Sequence, residues 1–128
     1  MTAERDLGAL LRGARPTIVH PEVVFVTLPD ASGLPVLATV AEDEGMGVVL
    51  RRGDAERLGL PVDWVGAWIT LQVDSALDAV GLTAAVSTAL ADAGISCNVL
   101  AGVHHDHLVV PADRAADAVA LLSALGRA

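Results

Sequence analysis

Between residues 66 and 128 the spacing of apolar side chains changes period in a fixed order, and that order narrows the possible folds more than any other feature. Ala67 to Val73 alternates, with Ala67, Ile69, Leu71 and Val73 on one face and Trp68, Thr70 and Gln72 on the other, as in a strand with one buried face. A loop follows, Asp74 to Ala79. The next segment carries Leu82, Val86, Ala89, Leu90 and Ala93 on one helical side and ends at Gly94, where a left-handed cap favours glycine. Ile95 to Ala101 and His107 to Val110 read as two further strands, joined through the tight connection Gly102–Asp106. Pro111 can occupy the first turn of a last helix that runs to about Leu125 on Ala115, Val119, Leu122 and Leu125. The order is β-α-β-β-α.

This order predicts a ferredoxin-like half-sandwich that lacks only its final strand. The front of the chain is less regular. Ala3 to Ala14 reads as an amphipathic helix on Leu7, Leu10 and Leu11, stopped by Pro16. Val23–Leu28, Val36–Ala41 and Gly47–Arg51 read as strands, and Pro29 to Gly33 between the first two is a turn. Asp54 to Leu60 reads as a short helix. The expected fold class is therefore α/β in the sense of an α+β sandwich: two ferredoxin-like halves in a mostly antiparallel sheet, with helices on one face. Residues 1–65 would form an N-terminal helix plus a degenerate half, and residues 66–128 the cleaner half. Ile69, Leu71, Val86, Leu90, Ile95, Cys97 and Val99 are expected in the core. Trp68 and Leu108 are expected on a sheet face without helices, which predicts a homodimer or larger assembly.

Charge excludes whole classes of partner. The formal net charge is −8, and the chain has no lysine. Nucleic-acid affinity comes largely from basic side chains neutralising phosphates, so neither nucleic acid nor an anionic membrane is an expected partner. No apolar run approaches the roughly 20 residues that span a bilayer. Cys97, the single cysteine, cannot form an internal disulfide, and with no signal-peptide pattern at the N-terminus this points to the cytosol.

Several segments resemble a known family. Ile69-Thr70-Leu71-Gln72-Val73-Asp74-Ser75-Ala76-Leu77-Asp78-Ala79-Val80-Gly81-Leu82, continued by Ala89 to Asn98, resembles an ACT domain. The whole chain resembles short bacterial proteins made of two ACT-like halves, through Glu44 to Leu50, Trp68 to Leu71, Ala79 to Ala85, Gly94 to Val99 and Ala101 to His107. Similar tandem modules occur in aspartate kinases and in the eukaryotic arginine sensor. The resemblance implies ACT-type halves, a regulatory function without catalysis, and an amino acid or similar small metabolite as ligand.

The residues support a site in the same place. The first amides of a helix have no internal partners, so those near Val80, Gly81 and Leu82 can hold a carboxylate. Gly81 permits close approach, and Asp74 or Asp78 could pair with an ammonium group. Ser75, Ser96 and Asn98 complete the expected polar neighbours. The plainer alternative is that Asp78 caps the helix and Gly81 eases packing.

Other motifs carry less. His104, His105 and His107 tempt a metal reading, with His105 and His107 on one side of an extended segment, but a complete ligand shell cannot be read. Cys97 alternates with Ile95 and Val99 as a small buried residue would. No nucleophile elbow and no glycine-rich phosphate loop is present, and no cofactor is expected. Two rivals to the sensor remain: a structural oligomerisation module without ligand, and a metal-dependent hydrolase built on the His104–His107 cluster.

Overall fold

The computed structural model describes residues 3–127. Its elements, in chain order, are α1 (Leu7–Gly13), β1 (Pro16–Leu28), β2 (Val36–Glu42), β3 (Gly45–Arg51), α2 (Arg52–Arg57), β4 (Gly66–Leu71), α3 (Leu82–Asp92), β5 (Asn98–Ala101), β6 (Asp106–Pro111) and α4 (Ala115–Leu125). Pro111 closes β6 and precedes a 3₁₀ turn, Ala112–Arg114, rather than opening α4 itself. The fold is the mixed α/β, ferredoxin-like arrangement expected.

The chain packs as two compact units. Glu22–Gly66 forms one, and the residues before Glu22 join those from Ala67 onward in the other. In the smaller unit β3 lies between β2 and β1, antiparallel to both, with Val24 opposite Leu50 and Val26 opposite Val48. Those four residues and Ala55 of α2 make its buried cluster, with Leu60, Val62 and Val65 packed against them. α2 starts two residues earlier than its sequence pattern indicates, at Arg52, which pairs with Glu22 and Glu56.

In the larger unit the strand order is β1-β4-β6-β5, with β5 and β6 antiparallel. The front of β1 thus lies beside β4 and supplies the strand that the β-α-β-β-α segment lacks. Pro16 and Pro21 hide this from a sequence reading, because proline cannot donate to a ladder and normally argues against a strand. α1 begins at Leu7, its N-cap Asp6 accepting the Ala9 amide at 2.9 Å. Leu10 of α1, Leu82, Val86 and Leu90 of α3, and Ala118 and Leu122 of α4 close over Ile69, Leu71, Leu108 and Val110. Burial on that scale is worth about 1.5–3 kcal/mol for each large aliphatic side chain.

Three expectations about faces are corrected. Val99 is 36 % exposed rather than core. It shares a face with its cross-strand partner Leu108, but β5 is an edge strand with one neighbour. Cys97 precedes β5 and is half-buried against the core. Leu108 lies in the helix-covered core, and β4 is buried on both faces, so neither Leu108 nor Trp68 forms an open sticky surface. The Trp68 indole is flanked by the rings of His20 and His107, with centroids 5.9 and 5.1 Å away. It donates to Thr70 Oγ1 at 3.2 Å, and that hydroxyl also bonds His107 Nδ1 at 2.9 Å.

Candidate functional site

The loop between β4 and α3 is pinned by backbone bonds on both sides. Glu4 N–H donates to the Asp74 carbonyl at 2.8 Å and Ala76 N–H to the Glu4 carbonyl at 2.9 Å, while Ser75 N–H donates to the His104 carbonyl at 3.1 Å. The Ser75 side chain is buried, and its hydroxyl donates to Asp106 Oδ2 at 3.1 Å. The loop then reaches Gly81, which takes a left-handed φ of +105° as the N-cap of α3 and provides no side-chain cap. The first α3 amides are therefore left without a side-chain acceptor.

A cavity of about 190 Å³ opens at this point. Ser75 to Leu77, Ala79, Gly81, the α3 start at Leu82 and Thr83, Ala101–Gly102 and Asp106 line it. The start of α3, whose first amides lack a side-chain acceptor, and Asp106 both line it, so it brings donors and a carboxylate to one cavity. A cavity of roughly 150 Å³ holds benzene, so a ligand of about six to eight heavy atoms fits. Three strongly exposed apolar side chains lie on the same loops: Leu77 at 72 %, Val80 at 83 % and Val103 at 70 %.

Of the residues proposed from sequence, Ser75, Gly81 and Leu82 line this cavity. Asp74 turns towards His104, with its Oδ1 3.7 Å from the ring Nδ1 and without a hydrogen bond among the described residues. Asp78 forms an exposed ion pair with Arg5 at 3.0 Å and does not cap α3. Val80 points to solvent. Ser96 precedes β5, and Asn98 pairs with Val109 at the start of β5, whereas the cavity adjoins Ala101 opposite Asp106 at its end. Asp106, Ala101 and Gly102 also line the cavity and were not singled out from the sequence. Their only sequence signal is the short connection between β5 and β6, which brings both strand ends to the β4–α3 loop.

The histidines are separately engaged. His105 Nδ1–H donates to the Val73 carbonyl at 3.0 Å, and His107 bonds Thr70. Burial, with repulsion from His105, pushes the His107 pKa below the usual imidazole value. Burial pushes the Cys97 thiol up. No three His, Cys, Asp or Glu side chains gather as a metal site among the described residues.

The chain matches the ACT domain twice, over residues 2–66 and again over residues 65–124. The two matches meet at residues 65–66, although residues before Glu22 pack with the second segment. No functionally curated protein matches the chain. Among solved structures, a protein of unknown function from Vibrio cholerae, described as a possible transport protein, is 40 % identical with a TM-score of 0.81, over 88 % of this chain and 89 % of that one. A protein from Agrobacterium tumefaciens is 21 % identical with a TM-score of 0.57, covering 82 % of this chain and 81 % of its own. The regulatory subunit of aspartate kinase from Thermus flavus shares the fold at 12 % identity and a TM-score of 0.55, over 81 % of this chain and 90 % of its own. With both halves matched and a close structural relative along most of its length, the chain belongs to the ACT-domain family as a tandem of two such domains.

Proposed function

We propose that this protein is a non-catalytic cytosolic sensor whose ligand is a small amino acid, held in the cavity between the β4–α3 loop and the β5–β6 connection. The observation that carries this reading is that the start of α3, with its orphan amides, and Asp106 line one cavity of about 190 Å³. A zwitterion would place its carboxylate on the amides of Leu82 and Thr83 and its ammonium against Asp106, which Ser75 orients. The fold shared with the regulatory subunit of aspartate kinase from Thermus flavus, together with the two ACT-domain matches, supports the class of function. Exposed Leu77, Val80 and Val103 beside the cavity support a second copy as the cover of the bound ligand, in a homodimer or larger assembly.

A thermal-unfolding screen against the standard amino acids tests the reading. A specific ligand at 100 times its dissociation constant stabilises by about 2.7 kcal/mol, and Asp106→Asn should remove that stabilisation. A specific ligand whose effect survives Asp106→Asn would move the site elsewhere. The same exposed apolar side chains favour a second reading, a ligand-free association module. That reading gains if sedimentation shows a dimer lost in Val80→Asp and no amino acid shifts unfolding.

A further inference from the structure

The chain has eight arginines and 16 carboxylates, so an arginine here has an abundance of acidic partners. Arg5, Arg51, Arg52, Arg57 and Arg114 take them, each in an ion pair of 3.6 Å or less. The guanidiniums of Arg12, Arg15 and Arg127 do not; none forms an ion pair or hydrogen bond among the described residues. The three residues line one pocket of about 260 Å³, at the C-terminal ends of α1 and α4, with Ser123 beside them, although the Arg12 guanidinium itself lies back over Gly8 on the side of Asp6.

The backbone around this pocket is built for the approach of its parts. A Cβ on Gly126 would lie 2.6 Å from the Leu11 carbonyl oxygen, so only glycine lets the end of α4 come this close to α1 and bring Arg127 beside Arg15. Arg15 is the one non-glycine residue with positive φ among the described residues, at +40°. Glycine would make that turn without strain; an arginine there puts a guanidinium on the pocket rim instead. Arg12 lies back over Gly8, its Nη1 3.0 Å from where a Cβ would sit, on a side chain long enough to swing.

We propose that this pocket is a second binding site, separate from the α3 cavity, for the phosphate group of a small phosphorylated molecule. Arg15 and Arg127 match the double charge of a phosphate, and Arg12 can add a third donor fork. Guanidiniums bind phosphate oxygens through paired hydrogen bonds, which a monocarboxylate only half uses. The Ser123 hydroxyl supplies a neutral donor.

Isothermal titration of the whole protein with inorganic phosphate, glycerol phosphate and citrate at equal ionic strength tests this. Saturable binding of either phosphate compound, tighter than that of citrate, is expected; the tighter of the two says whether the free ion or a phosphate ester is read. Arg15→Gly and Arg127→Gln should each weaken binding about tenfold, the loss of one charged hydrogen bond. Arg15→Gly also removes the backbone strain, so its unliganded unfolding temperature should hold or rise. Absence of saturable phosphate binding, citrate binding as tightly, or phosphate binding untouched by both replacements would overturn the proposal. So would lowered unfolding temperatures in both variants with no phosphate effect, which would leave the arginines as complements to two helix ends.

Discussion

The side chain of Leu7 occupies the space that a Cβ on Gly81 would enter, with Cδ2 3.0 Å from that position. This contact ties α1 to the loop that shapes the α3 cavity, and Gly81 is further held at φ +105°. A bulky residue at Gly81 meets strain and a clash together. Gly81→Val should therefore lower stability by about 2 kcal/mol or more, read by urea unfolding. Pairing it with Leu7→Ala should recover only the part due to the clash. A loss below about 0.5 kcal/mol would mean the loop relaxes freely, within the range of ordinary surface changes.

Leu90 is fully buried among α3, α4 and β4 side chains. Leu90→Ala should cost about 2–5 kcal/mol in denaturant unfolding, the range for a large aliphatic residue removed from a packed core. Val99→Ala, on the exposed edge strand, should cost much less.

His107 gives a pH dependence with a definite sign. Its folded-state pKa lies below the ordinary value of 6.5, chiefly through burial. The unfolded chain therefore takes up the proton first as pH falls. The stability tied to this residue is fully present above pH 6.5 and is lost as pH drops from there towards the folded-state pKa. Unfolding free energies measured from pH 7.5 to 5.5 should fall in the wild type and fall less in His107→Gln; equal slopes would contradict the assignment.

Cys97 should alkylate slowly. Burial disfavours its thiolate, the reactive form. Iodoacetamide labelling of the native protein at neutral pH should lag well behind labelling in urea. Equal rates would mean that the segment before β5 is open to solvent.

Local pattern settled those elements whose causes lie within a few residues. The apolar faces of α3 and α4 follow from side chains three and four apart, and Gly94 ends α3 region as expected with φ +73°. Of the residues lining the candidate cavity, Ser75, Gly81 and Leu82 lie together in the sequence because the strand, loop and helix carrying them are consecutive. Strand order and register are not local properties. Only the folded chain brings Pro16–Pro21 to β4, completing a unit whose other strands come from beyond residue 66. Only strand neighbours decide that Trp68 and Thr70 are buried like Ile69, since alternation defines two faces but not what covers each. The pairing of Asn98 with Val109 and of Ala101 with Asp106 sends Ser96 and Asn98 to the far end of β5 and brings Asp106 to the cavity. A carboxylate's position relative to a helix 24 residues earlier depends on that long-range pairing, and no spacing along the chain encodes it.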